Sequence, residues 1–149
     1  MKAPIWDVHN VVAGIDGSDQ SRHAACVSAD IARRNGATLH LVTIVRPPEG
    51  WWGIVGSPPT PSALSKSLTD AQREILDSVA SELDLADIEV IQVVDVGDPA
   101  RMLLDYAEKV DADVMVIGRR GAGLIERIML GSVANRVIHD ADCPVLLVP

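Results

Sequence analysis

The sequence predicts an α/β fold: a five-stranded parallel sheet in the order 3-2-1-4-5, with helices on both faces. Three observations lead there. Five short apolar runs alternate with four longer stretches of helical pattern, and such alternation calls for parallel strands joined by helical crossovers. The run Val114-Met115-Val116-Ile117 is solid rather than alternating, which marks a strand covered on both faces. The junctions carry turn and cap residues, in Asp16-Gly17-Ser18, Asn35-Gly36, Gly97-Asp98-Pro99 and Asp142-Cys143-Pro144. Crossovers are right-handed, so a chain that reverses its winding once sets strands one and four side by side.

Taken in order, Val11-Val12-Ala13-Gly14-Ile15 is a short buried strand ending at Asp16. Ser18 is the expected N-cap of a helix running to about Arg34, which Asn35-Gly36 stops with a left-handed residue. Ala24, Ala25, Val27, Ala29, Ile31 and Ala32 give that helix a small-residue face suited to close packing on a sheet. Thr38–Val45 is the second strand. Residues 46–61 hold five prolines, three glycines and the pair Trp51-Trp52. This stretch cannot be regular structure, and two indoles argue for a flap packed on the domain or on a second subunit.

Over residues 62–83, Leu64, Leu68, Ala71, Ile75, Val79 and Leu83 recur at steps of three and four, the signature of an amphipathic helix. Residues 88–96 form the third strand. Gly97-Asp98-Pro99 then supplies a turn, a cap and a proline for the first helical position. The helix that follows carries Met102, Leu103, Tyr106, Ala107 and Val110 on one side. Val114-Met115-Val116-Ile117 is the fourth strand, a last helix covers residues 132–139, and Val145–Val148 closes the sheet.

Length and composition bound the function. At 149 residues, 48% of them hydrophobic, the chain suits one domain over residues 1–149 with a sizeable core. A formal charge of −8 disfavours nucleic acid as a partner. The N-terminal residues lack a hydrophobic signal core and no apolar run nears a membrane span, so a cytoplasmic protein with no membrane partner is expected. Cys26 and Cys143 have no metal or redox spacing and read as small buried residues. His9, His23, His40 and His139 are scattered and read as helix-end or surface histidines.

One stretch runs against the acidic balance. Arg119, Arg120, Arg127 and Arg136 stand against Glu126 alone, a local +3 that suits an anion site, although Arg127 and Arg136 equally fit a solvated helix face. The stretch begins GRRGAG, after the fourth strand, and passes through Gly131-Ser132 into the last helix. A strand, a glycine loop and a helix start make a phosphate site, because a helix N-terminus presents unpaired N–H groups and a partial positive charge. Neither a P-loop nor G-x-G-x-x-G is present. In the order 3-2-1-4-5, Asp16 after strand one and Gly118 after strand four face one crevice at the carboxyl edge of the sheet.

Gly118, Gly121, Gly131 and Ser132 resemble the G-x2-G-x9-G-[ST] signature of the universal stress protein family, in its ATP-binding branch. VVAGIDGSDQS, VGDPARMLLDYAEKVDADVMVIG and GSVANRVIHDADCPVLLVP resemble that family's opening, central and closing segments. The resemblance implies a Rossmann-like nucleotide-binding domain that holds ATP, with Mg2+ or Mn2+ bound through the phosphates. It places Asp16 near the ribose, the Ile44 backbone at the adenine, and Gly118 behind the ribose and phosphates. Gly121, Gly131, Ser132 and Val133 would hold the phosphate chain. With Gly14, Ile15, Ile117, Arg119 and Arg120 these complete the expected nucleotide-binding set. The arginine pair could reach a phosphate or point to water.

No Walker-type lysine or placed base accompanies this set, so a binder with slow ATP turnover at most is expected, acting as a stress or signalling module. Two alternatives remain: an AMP or cyclic AMP binder using the same pocket, and a dimeric interaction protein that needs no nucleotide. Val145–Val148 is apolar throughout and falls at a sheet edge, which predicts a homodimer paired through that strand, as relatives commonly associate.

Overall fold

The computed structural model describes residues 6–47, 63–120 and 129–149. The Trp51-Trp52 stretch, Gly121, Glu126 and Arg127 lie outside the described residues. Within them the chain runs β1 (Asn10–Gly14), α1 (Asp19–Asn35), β2 (Thr38–Val45), α2 (Ala63–Glu82), β3 (Val90–Val96), α3 (Pro99–Lys109), β4 (Val114–Gly118), α4 (Ser132–Asp140) and β5 (Val145–Val148). The strands form one parallel sheet in the order β3-β2-β1-β4-β5. Helix and strand limits differ from the sequence expectation by a residue or two at most, the range within which frayed ends shift.

The caps explain why the limits were readable. Ser18 accepts from the Ser21 N–H, Asp98 accepts from the Arg101 N–H at 3.1 Å, and Gly36 closes α1 in the left-handed region with its N–H on the Ala32 carbonyl. Strand alternation then splits the core in two. Val11, Ala13, Leu39, Leu41, Val114 and Val116 face α1 and α2, whereas Val12, Val42, Met115 and Ile117 face α3 and α4. Ala24, Ala25, Ala29 and Ala32 are buried on α1 and let its backbone approach the sheet closely. Leu39, Leu41, Leu76 and Met115 are fully buried, each worth about 1.5–3 kcal/mol of apolar transfer.

Three residues sit differently from the expectation, and the first, Cys143, is half-buried rather than buried. Cys26 is exposed, because the inward face of α1 passes through Ala24, Ala25 and Ser28 and leaves position 26 outside. His40, read as a surface histidine, is buried on β2. Its Nδ1 lies 2.8 Å from the Tyr106 hydroxyl and its Nε2 lies 3.2 Å from Asn10 Oδ1. Burial holds the imidazole below its ordinary pKa against the opposing pull of the Glu89 carboxylate. The polar ring is satisfied there by partners from β1 and α3, which no local pattern around position 40 announces.

Candidate functional site

The site follows from where β1 and β4 stop. Beyond Gly14 the Ile15 N–H still donates to the Val42 carbonyl at 2.8 Å, which ties the turn to β2. Asp16 follows at once, and its carboxylate accepts from the Ser18 N–H at 2.9 Å and from the Ser18 hydroxyl. Ser18 is the residue that caps α1. The helix start therefore orients the acid, and Asp16 is held exposed at the carboxyl edge of the sheet.

On the neighbouring strand, the Arg119 N–H donates to the Val148 carbonyl at 2.8 Å, and the Arg119 carbonyl accepts from Gly131 N–H at 2.9 Å. These bonds bring the chain after the glycine loop back onto the end of β4. Gly131 is extended and precedes α4 without a side-chain cap. The first-turn N–H groups at Ser132 and Val133 thus keep their partial positive charge at the site.

One crevice of about 440 Å³ collects both segments. Gly14, Ile15 and Asp16 line it from β1, and Ile117, Gly118 and Arg120 from β4 and the loop after it. Gly131, Ser132 and Val133 line it from the start of α4, and Ile44 from the end of β2. Arg119 is not in its lining, and its backbone is engaged between β5 and Gly131. Gly121 falls outside the described residues.

The crevice has residues that sequence reasoning missed. Val42 and Leu103 join Ile44 and Ile117 as apolar wall, Ser21 and Ala134 add to the two helix starts, and Pro99 brings in the first turn of α3. Arg46 lines it too. The period of two was the available signal: positions 42, 44 and 46 share one side of β2 and its extension. Proline at 47 drew Arg46 into the irregular stretch instead.

Arg136 is placed elsewhere. It pairs with Asp98 at 2.9 Å and with Asp140 at 3.7 Å. Asp98 caps α3, so this contact ties the middle of α4 to the start of α3. Of the four arginines expected around an anion, Arg120 is the one among the described residues that lines the cavity. The arrangement offers apolar surface toward β2 and α3, donors at the α4 start, and a single carboxylate at β1. Among the described residues no group of three histidines, cysteines or acids is placed to hold a metal ion. No helix among them is long and apolar enough to cross a membrane.

Comparison with known proteins gives a consistent set of relatives. Residues 8–149 match the universal stress protein family. The chain is 34% identical over 145 residues to universal stress protein MJ0531 of Methanocaldococcus jannaschii, covering 93% of this chain and 80% of that one. It is 32% identical over 139 residues to a universal stress protein of Thermus aquaticus, covering 93% and 96%. Among solved structures it resembles hypothetical protein MJ0577, with a TM-score of 0.81 at 22% identity over 95% of this chain and 96% of that one. It also resembles a universal stress protein solved in complex with cAMP, with a TM-score of 0.64 at 27% identity over 95% and 97%.

Proposed function

The chain belongs to the universal stress protein family, and from that premise we propose that it is a cytoplasmic stress or signalling module that binds ATP in the crevice between β1 and β4. The observation that supports this most is the meeting of Asp16 with Gly131, Ser132 and Val133 in one cavity, although more than a hundred positions separate them in sequence. The apolar wall of Val42, Ile44, Leu103 and Ile117 suits an adenine ring, with the Ile44 backbone at its edge. Asp16 is an acceptor for ribose hydroxyls. Gly118 backs the ribose, and the α4 start with Arg120 takes the phosphates.

Magnitudes favour a moderate binder. Three or four charge-assisted hydrogen bonds at about 1.5–3 kcal/mol each, with adenine burial, exceed the roughly 8 kcal/mol of micromolar affinity before ordering costs are subtracted. Mg2+ or Mn2+ would be carried by the phosphates rather than by a protein cage. Among the described lining residues the one carboxylate is Asp16, already engaged by Ser18, and neither histidine nor lysine is present. Such a lining suits binding with slow turnover at most.

A second reading, that AMP or cyclic AMP is the natural ligand, draws on the relative solved with cAMP, because adenosine contacts are common to all three nucleotides. Calorimetry with ATP, AMP and cyclic AMP, with and without Mg2+, separates the readings. We expect micromolar ATP binding that AMP and cyclic AMP match only at about tenfold higher concentration. Equal affinity for AMP would show that the outer phosphates are not gripped, and no heat with any nucleotide would leave a dimeric interaction protein.

We also propose that the protein is a homodimer paired through β5. That strand is at the sheet edge beside β4, with Leu146 40% exposed and Ile138 of α4 39% exposed. Light scattering at micromolar concentration should give twice the chain mass, and a monomer there removes this part of the reading.

A further inference from the structure

A second cavity, of about 460 Å³, opens on the α3 and α4 side of the sheet at the far ends of both helices. Leu104, Ala112, Ala141 and Cys143 make a half-buried apolar floor, with Met115 fully buried behind them, and Glu108, Asp111 and Asp142 stand exposed around it. Asp105 and Asp140 complete the rim, each also facing an arginine of its own helix, at 3.7 Å in both cases. No lysine, arginine or histidine lines the groove among the described residues. The carboxyl ends of α3 and α4 both reach it, and each adds partial negative charge. With Arg101 and Arg136 set against Asp105 and Asp140, the remaining carboxylates Glu108, Asp111 and Asp142 leave the rim net negative around an apolar floor.

We propose that this groove docks a basic segment of a partner protein, one that sets Arg or Lys side chains against the rim and apolar side chains on the floor. Charge complementarity selects the occupant. An arginine has an aliphatic stem for Leu104 and Ala112 and a guanidinium for the carboxylates, a combination enriched at interface hot spots. A bare divalent ion is a poorer fit, because no three of these acids converge as metal ligands among the described residues. A polyamine would satisfy the rim but leave the apolar floor around Leu104 without shaped contact. The groove uses the Leu104 to Asp111 half of α3 and the end of α4, whereas the nucleotide crevice uses Pro99, Leu103 and the start of α4. A partner can thus sit here with the crevice open, and the inference stands independently of the nucleotide reading.

The test is fluorescence polarisation with a labelled peptide of about twelve residues that mixes arginine and leucine. Micromolar binding is expected, weakened at least about tenfold by Glu108→Lys with Asp142→Lys. Leu104→Gln should weaken it about threefold or more by wetting the floor. The control is Asp70→Lys with Asp77→Lys, the same charge change on exposed positions of α2 across the sheet. An equal loss in that control would overturn the proposal, since the peptide would then be reading overall charge. So would equal binding of a peptide with serine in place of leucine, or displacement by spermine at the peptide's own concentration range.

Discussion

Ser132→Asp should lower ATP affinity about 100-fold while leaving the fold as stable as before or slightly more so. The two effects have opposite signs for a physical reason. Ser132 is exposed at the first position of α4, where a carboxylate meets the positive end of the helix and contributes about 0.3–1 kcal/mol to stability. The same charge about 5 Å from a phosphate, at an effective dielectric of about 20, repels it by about 3 kcal/mol, two decades in affinity. Calorimetry and thermal unfolding read the two quantities separately. A raised melting temperature with affinity unchanged would mean that no phosphate lies at the start of α4.

Gly118→Val should destabilise the protein by about 1–3 kcal/mol and weaken ATP binding about tenfold. A Cβ at this position would lie 2.9 Å from Gln20 Cβ, 3.2 Å from the Gln20 carbonyl carbon and 3.2 Å from the Arg120 carbonyl oxygen. Two of these three are backbone atoms, so relief requires moving the first turn of α1 or the chain after β4. Both carry crevice residues. The glycine therefore has a packing reason within the fold as well as any role in admitting a ligand. Urea unfolding of the Ala and Val variants measures the first reason, and their ATP titrations measure the second. Full stability in both variants would show that α1 yields without cost.

Much of this was legible in the chain because the punctuation is local. Ser18, Asp98 and Gly36 act on backbone groups within a turn of themselves, so their spacing alone marks where helices begin and end. Sheet order followed from handedness and one reversal of winding, and it brought Asp16 and Gly118 to the same edge. What escaped depends on partners distant in sequence. His40 is buried because Tyr106 and Asn10 reach it from other elements. Arg136 is taken up by Asp98, 38 positions away. The packing of Gly118 on Gln20 is likewise invisible in a loop motif, where every glycine reads as room for an anion.

The central claim is that the turn after β1 and the start of α4 are two walls of one adenosine-phosphate pocket. Amide chemical-shift mapping of the labelled protein during titration with ATP and Mg2+ tests it most directly. The account predicts that the amides of Ile15 and Asp16 and those of Gly118, Ser132 and Val133 shift together along one binding curve, while Glu108 and Asp142 stay still. Shifts confined to one of the two walls, or none at millimolar nucleotide, would contradict it.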